Sequence, residues 1–237
     1  MRPPDAILST GRLSAFSLTE VLVVAAIVGV LAALAMPLSS RARQSANEAK
    51  ATHNLRQLGA LIQGYVAENQ FYPPATDGVT WRGSWADAIS PYAGHDSWWG
   101  SDPVPVIDSP AKKVRTKKTD RAFIANPAIM QDVRYGGGQL IPPARVRRLS
   151  EVILLADGVQ NSSNGRVADH MWQMPGVYDT NPANADRLVP ATENLDNGTA
   201  KIRFRNSGNT ALALFADGHV DRKKNGEIKY RNFSIAY

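Results

Sequence analysis

The sequence predicts an α+β protein in which a long N-terminal α-helix packs on a head made of a small antiparallel β-sheet with long loops. Residues 21–38 form an uncharged apolar run, and the polar residues after it keep a helical spacing of apolar side chains. Two short apolar runs, at 152–156 and 211–216, are each followed directly by Asp-Gly, a dipeptide typical of hairpin turns. Together these observations predict one long helix followed by a sheet.

The composition excludes several classes of chemistry. None of the 237 residues is cysteine, which excludes a disulfide framework, a thiol nucleophile, an iron–sulfur cluster and a zinc–thiolate site. Hydrophobic residues make up 43% and charged residues 20%, which is typical neither of a disordered chain nor of a protein with many membrane spans. The net charge of +6 permits an anionic partner without requiring one.

The apolar run VLVVAAIVGVLAALAMPL is long enough to cross a bilayer. As a helix it would be about 27 Å long, against a hydrocarbon core of ~30 Å, and a start at Phe16 lengthens it further. A buried core helix is disfavoured, because such helices are rarely apolar on every face over this length. Two alternatives stay open: a signal peptide cut after Ala33-Leu34-Ala35, before Met36, and an uncleaved membrane anchor.

Glu20 lies at the front edge of this run, where a carboxylate is costly. The cost is ~2.5–3.5 kcal/mol at the centre of a membrane helix and less near its end. A plain anchor offers the charge no partner. Cleavage before Phe16 would create an α-amino group four residues away, and in a packed array the amine of one subunit would pair with Glu20 of its neighbour. This favours a segment that is processed at Phe16 and then assembles.

Residues 15–24, AFSLTEVLVV, resemble the cleavage and methylation site of type IV prepilins and type II secretion pseudopilins. Glu20 and Pro37 match positions at which this family carries Glu and Pro. The resemblance implies that a prepilin peptidase cuts after Ala15, that the Phe16 amine is methylated, and that Glu20 guides docking into a growing filament. Ala15 departs from the family, which nearly always has Gly there, although a small residue still fits the requirement.

The resemblance divides the chain into four parts. These are a leader over 1–15, a transmembrane and assembly helix over 16–38, the soluble half of the same helix over 39–72, and a loop-rich β-sheet head over 73–237. It implies a single-pass inner-membrane precursor with its head in the periplasm, which joins a fibre of a type II secretion or type IV pilus-like system. The implied partners are the prepilin peptidase, neighbouring subunits and the inner membrane; nucleic acid is not expected. The alternative is a membrane-anchored or secreted binding protein that uses a tryptophan cluster or a basic loop.

The long helix is predicted over residues 16–69, with a bend at Pro37 and an end before the prolines at 73–74. Apolar residues in its second half are spaced four, three, four and three apart, which defines one helix face. These residues are Ala51, Leu55, Leu58, Ile62 and Tyr65. Gly59 and Gly64 are expected to allow close packing against the sheet.

Residues 73–150 are predicted to be irregular and contain two features with alternative interpretations. The first is a tryptophan cluster, formed by Trp81, Trp85, Trp98 and Trp99. We interpret it as packing for a domain without disulfides, and the alternative is an exposed platform for sugar or peptide. The second is the run KKVRTKKTDR at 112–121, interpreted as a solvated loop, with an anion-binding patch as the alternative.

The C-terminal third predicts a sheet. Its four strands are predicted at 152–156, 210–216, 219–224 and 227–233. The Asp-Gly pairs are expected to form type I′ turns, in which both central residues have positive φ. Residues 214–220, LFADGHV, also resemble a C-terminal signature of pseudopilin-like proteins that carry a His ten residues before the Asp. In this chain that position is Ser207.

Asp217, His219 and Asp221 are the candidate metal ligands. Alternation would place the three side chains on one face of an extended strand. Calcium is the candidate ion, although His219 is a poor ligand for it and Ile228 stands where an EF-hand needs Glu. Further oxygen donors in the loop over 157–200 are Asp169, Asp179, Asp186 and Asp196. The chain lacks a nucleophile elbow, a P-loop and an HExxH motif, so neither an enzyme nor a resident cofactor is expected.

Overall fold

The computed structural model describes residues 17–76, 84–98, 105–111, 121–133, 138–163 and 165–236. The chain divides into two compact units, Met1–Arg43 and Gln44–Tyr237. Within the described residues the α-helices are α1 (Leu18–Asn69) and α2 (Trp85–Ile89), and the strands are β1 (Phe123–Ala125), β2 (Ile153–Asp157), β3 (Thr210–Phe215) and β4 (Val220–Lys224). Short 3-10 turns lie at Ser90–Ala93, Pro105–Ile107, Pro143–Arg145, Pro182–Asn184 and Tyr230–Asn232.

Helix α1 continues through Pro37 and ends at Asn69. Gln70 follows with a φ of +65°, and its backbone N–H donates to the carbonyl of Val66 at 2.9 Å. A left-handed residue of this kind closes a helix, and the prolines at 73–74 prevent its continuation. The long helix predicted from the sequence is therefore confirmed within the described residues.

The second half of α1 buries the face that its spacing predicts. Ala51, Leu55, Leu58 and Ile62 have no exposed surface, and Tyr65 is half-buried. These side chains belong to one hydrophobic cluster with residues of the sheet. Burial of an apolar helix face against a sheet supplies much of the driving force for folding this unit.

Two glycines of α1 mark close approaches. A Cβ atom added at Gly59 would lie 3.0 Å from Cδ1 of Leu214 in β3. The missing side chain therefore lets the helix lie directly on the sheet, as the sequence predicts. A Cβ atom added at Gly64 would lie 3.2 Å from Cδ1 of Tyr92, so the close neighbour there is a residue of a 3-10 turn and not a strand.

The four strands form one antiparallel sheet in the order β1-β2-β3-β4, with β4 as an edge strand. Strands β2, β3 and β4 confirm the predictions at 152–156, 210–216 and 219–224, while β1 is not predicted. The prediction of a strand at 227–233 is wrong. Those residues instead contain the 3-10 turn Tyr230–Asn232 and a single bridge from Lys229 to a distant loop.

Neither Asp-Gly pair forms the predicted type I′ turn. The loop between β3 and β4 is closed by the Phe215 N–H, which donates to the His219 carbonyl at 2.9 Å, and Gly218 is its one residue with positive φ, at +91°. This is the three-residue hairpin loop that ends in a left-handed glycine. After β2 the chain does not turn, because Asp157 is the last residue of the strand and Gly158 forms a further antiparallel bridge.

Both faces of the sheet are covered. Leu212 and Leu214 of β3 belong to the cluster that contains α1, whereas Ala211, Ala213 and Phe215 belong to a second cluster. This alternation follows from the two-residue period of a strand. The second cluster is completed by the long loops that follow β2 and β4, so the core has two layers separated by the sheet.

The described tryptophans of the predicted cluster are packing residues. Trp85 and Trp98 are 0% and 2% exposed and belong to the cluster that contains α1. The packing interpretation is therefore confirmed for these two residues. Trp81 and Trp99 lie outside the described residues, as do residues 112–120 of the basic run.

Candidate functional site

Helix α1 begins with a capping box formed by Ser17 and Glu20. The backbone N–H of Ser17 donates to Oε2 of Glu20 at 2.8 Å, and the backbone N–H of Glu20 donates to Oγ of Ser17 at 3.2 Å. These bonds satisfy donors that a helix start leaves without an intrahelical partner. The carboxylate also complements the positive end of the helix dipole. Such a cap stabilises a helix start by about 1 kcal/mol.

This contact corrects one step of the sequence argument. The sequence analysis gives Glu20 no partner in an uncleaved anchor, whereas the structure pairs it with the Ser17 N–H of its own chain. The pattern Ser-x-x-Glu before an apolar run carries this signal. Because the donor is neutral, the bond leaves the negative charge of Glu20 in place.

The apolar side chains after the cap are exposed on every side of the helix. Val21, Leu22, Val23 and Val24 are consecutive and therefore point around the helix axis, and each is 53–63% exposed. Among the described residues, α1 is the one helix that is long and apolar enough to cross a membrane. An exposed apolar surface of this size is typical of a segment that contacts lipid or other protein.

The structure describes two of the four predicted processing and assembly residues. Glu20 is exposed in the first turn of α1, and Pro37 lies inside the helix, where it has no backbone N–H to donate. Ala15 and Phe16, at which cleavage and methylation are predicted, lie outside the described residues, together with the rest of the leader. Cleavage therefore stays a prediction.

Glu48 is a buried carboxylate of α1 that the sequence analysis misses. It is 3% exposed, and its Oε1 accepts hydrogen bonds from the backbone N–H and Oγ of Ser207, both at 2.8 Å. Its Oε2 lies 2.6 Å from Nη2 of Arg222 in β4. Burial opposes its ionisation, but the contacts with Ser207 and Arg222 outweigh this effect and lower the pKa of Glu48. Glu48 therefore ties α1 both to strand β4, through Arg222, and to the loop before β3, through Ser207.

The three predicted metal ligands do not converge. Oδ1 of Asp217 lies 2.6 Å from Nδ1 of His219, whereas Oδ2 of Asp221 accepts a hydrogen bond from Nζ of Lys223 at 2.9 Å. The His219 ring also stacks on Phe215, with ring centres 4.2 Å apart. The predicted common face fails because Asp217 lies in the hairpin loop and β4 begins at residue 220. In the part of the chain that the structure describes, no group of three His, Cys, Asp or Glu residues is placed to hold a metal ion.

The contacts with His219 also favour the charged form of Asp217. Partial burial opposes its ionisation, but hydrogen bonds from the backbone and the ring of His219 prevail and lower its pKa.

The four other predicted oxygen donors also have separate partners: Asp169 binds Arg121, Asp179 accepts from the Asn181 N–H, Asp186 binds Lys229, and Asp196 binds Arg203. Across the described loop, these contacts give calcium no common site.

A second buried carboxylate, Asp157, joins β2 to β3. It has no exposed surface, and its Oδ2 accepts hydrogen bonds from the Leu212 N–H at 2.9 Å and from Nδ2 of Asn206 at 2.8 Å. Burial raises the pKa of Asp157, although the charge of Arg205, with Nε 3.8 Å from Oδ1, acts in the opposite direction. These contacts hold the sheet together from within, which is a structural role.

Comparison with known proteins gives no assignment: no family model, curated protein or solved structure matches this chain. The function of the chain is therefore inferred from its own chemistry, above all from the capped start of α1 and the exposed apolar surface that follows it.

Proposed function

We propose that this chain is the precursor of a pilin-like or pseudopilin structural subunit, which is cut after Ala15 and assembles through α1 into a helical fibre. The resemblance of residues 15–24 to prepilin processing sites supports the proposal. One structural observation also supports it: an exposed apolar helix begins at the Ser17–Glu20 capping box, directly after the predicted cleavage bond. All atoms of the cap belong to residues 17–20, so removal of the leader would leave the helix start intact.

Cleavage would also give Glu20 a charged partner. A new amine at Phe16 would lie beside the positive end of the helix dipole, which is unfavourable within one chain unless a carboxylate offsets it. Glu20 is exposed in the first turn and can therefore be reached by a neighbouring subunit. In a helical bundle that excludes water, pairing the Phe16 amine of one subunit with Glu20 of the next avoids two unpaired charges. Apolar packing would drive association, and this ion pair would set the register.

The proposal also defines a location. The apolar half of α1 would hold the precursor in the inner membrane as a single-pass protein, with its head in the periplasm. Processing by the prepilin peptidase would remove the leader but leave this helix in the bilayer, from which the subunit would pass into a fibre of a type II secretion or type IV pilus-like system. Neighbouring subunits would replace lipid around the helix, which meets the need of its exposed apolar surface for a nonaqueous neighbour.

The N-terminus of the protein made in cells with an active prepilin peptidase tests this proposal. We expect a mature chain that begins at methylated Phe16. Ala15→Leu should block cleavage because the position takes a small residue, whereas Ala6→Leu, the same change elsewhere in the leader, should not. A chain that still begins at Met1 would identify a plain anchor, and one that begins at Met36 would identify a secreted protein. Either result would overturn the proposal.

Two substitutions separate the charge of Glu20 from its role in the helix cap. Glutamine also completes a capping box, so Glu20→Gln keeps the cap and removes the charge. We expect this variant to insert and to be cleaved, but to form no fibres by electron microscopy. Ser17→Ala weakens the cap by about 1 kcal/mol and keeps the charge, so it should still assemble. Normal fibres from Glu20→Gln would contradict the assembly mechanism.

A further inference from the structure

The head contains a cleft of about 860 Å³ that has no part in the proposed assembly. Its walls come from the loop after β1, the loop after β2 and the C-terminal residues 234–236. We call it the aromatic cleft and define it by Trp172, Tyr178, Asp132 and Arg145, which all line it. Its volume lies within the range of roughly 300–1,000 Å³ that is usual for ligand sites.

The two aromatic side chains of this cleft are unusually exposed. Trp172 is 50% exposed and Tyr178 is 63% exposed, whereas Trp85 and Trp98 are buried. Large aromatic rings contribute much of the binding energy at recognition sites, and exposing two of them in one concavity has no benefit for folding. Two exposed aromatic rings in one concavity are typical of a ligand site.

The backbone next to Trp172 is fixed, so its exposure is built into the fold. The Ala125 N–H of β1 donates to the Asp169 carbonyl at 3.0 Å, and the Met171 N–H donates back to the Ala125 carbonyl at 2.8 Å. Met171 and Met174 are buried in the second cluster and anchor the segment on both sides of Trp172. The core therefore holds this ring at the surface.

Tyr178 is held in the same way. The preceding Val177 is buried, and the Asp179 N–H donates to the Gly176 carbonyl at 3.1 Å, which closes a turn around Tyr178. The carboxylate of Asp179 accepts from the Asn181 N–H and thereby fixes the loop that follows, with an N–O distance of 2.8 Å. The backbone that carries both rings is therefore fixed, so a ligand would spend little binding energy in ordering these loops.

The polar groups of the cleft offer both acceptors and donors. Oδ2 of Asp132 lies 3.9 Å from Nε2 of the buried His170, and Oδ1 accepts a hydrogen bond from the Thr76 hydroxyl. A phenol is protonated at neutral pH, so the Tyr178 hydroxyl can donate; its partial desolvation and the charge of Asp132 raise its pKa further. The exposed Arg145 adds a forked donor.

We propose that the aromatic cleft binds a neutral oligosaccharide, with sugar rings stacked on Trp172 and Tyr178 and hydroxyls bonded to Asp132 and Arg145. A sugar ring presents an apolar C–H face together with hydroxyls that both donate and accept, which matches this lining. Among the described residues that line the cleft, a phosphate or other anion would meet the carboxylates of Asp132 and Asp179 against one guanidinium, that of Arg145. A purely apolar ligand would strip water from the charged groups without replacing their hydrogen bonds. This function is independent of fibre assembly.

Calorimetric titration of the full chain, in a detergent without sugar groups, tests the proposal. The probes are cellohexaose, mannohexaose, xylohexaose and chitohexaose. We expect at least one to bind with a Kd in the millimolar range or tighter, and Trp172→Ala and Tyr178→Ala each to weaken that binding about tenfold or more. Leu195→Ala, which removes another side chain that is 53% exposed, is the matched control and should leave the affinity unchanged.

Three outcomes would overturn the proposal. The first is that no probe binds with a Kd tighter than about 10 mM. The second is that a probe binds but both alanine variants retain its affinity. The third is that the cleft binds an unstructured peptide and none of the sugars. Both substituted rings are exposed, so the thermal unfolding temperature of the variants should match that of the unaltered chain and confirm that they fold.

Discussion

Replacing Glu48 with glutamine tests how α1 is fastened to the sheet. The substitution keeps the shape of the side chain and one oxygen acceptor, but it removes a charge that receives two hydrogen bonds from Ser207 and one ion pair from Arg222. Because Glu48 is 3% exposed, water cannot take over these contacts in the folded protein. We therefore expect Glu48→Gln to lower the free energy of unfolding.

The structure sets the size of this loss. Changing both Ser207 bonds from charge-assisted to neutral costs about 1 kcal/mol each. The ion pair with Arg222 adds less than about 1 kcal/mol, because the Arg222 side chain is 50% exposed and well solvated. The expected loss is about 2–3 kcal/mol. For a unit of this size, that corresponds to a fall of roughly 4–12 °C in the unfolding temperature.

The pH dependence provides the second measurement. The pKa of Glu48 is lower in the folded than in the unfolded state, so its contribution is fully present above the unfolded pKa of about 4.3. It is lost as the pH falls through the folded pKa, where the carboxylate takes up a proton. Chemical unfolding of the full chain at neutral pH and in acid should therefore show a difference between the two proteins that shrinks in acid.

The exposed Glu193 supplies the control, because Glu193→Gln removes the same charge where water solvates it. We expect this control to change stability by less than about 0.5 kcal/mol. If Glu48→Gln behaves like the control, or if its effect is the same in acid as at neutral pH, then the carboxylate does not fasten α1 and the reasoning fails.

Two further predictions concern the sheet and its hairpin. Gly158→Ala should lower the free energy of unfolding by about 1–3 kcal/mol in denaturant titrations, because its Cβ atom would lie 2.2 Å from Cγ1 of Val167; an unchanged midpoint would show that the site has room. Added calcium should leave the unfolding temperature unchanged in thermal scans, because Asp217 and Asp221 already bind other side chains. If calcium raised the unfolding temperature and Asp217→Asn abolished that rise, the result would support a calcium site instead.

The elements that the sequence predicts well are those with a strong local pattern. The face of α1 that carries Leu55 and Leu58 follows a helical period over several turns, and β3 follows from an uninterrupted apolar run. Strand β1 escapes prediction because its three residues are all buried and show no alternation. The strand predicted at 227–233 fails because the buried Ile228 and Phe233 are an odd number of residues apart and would face opposite sides of a strand.

Parts of the candidate sites depend on contacts that no local pattern encodes. Glu48 and Ser207 are 159 residues apart, and a spacing of that size carries no periodic signal. The one local hint is that Glu48 precedes Ala51 by three residues and so shares its buried face. The aromatic cleft likewise draws its walls from three separate segments, and Trp172 lies outside the tryptophan cluster that the sequence singles out. By contrast, the Ser17–Glu20 cap is entirely local, and the pattern Ser-x-x-Glu is a signal for it that the sequence analysis misses.

The exposed edge of strand β4 affects how copies of this chain interact when they lie close together. Among the described strands, none pairs with the outer edge of β4, and the residues after Val220 are Asp-Arg-Lys-Lys. Charged side chains along such a rim oppose the addition of a foreign strand. In a fibre of the kind we propose, where many copies lie side by side, these charges would oppose pairing of β4 with the same strand of a neighbouring copy.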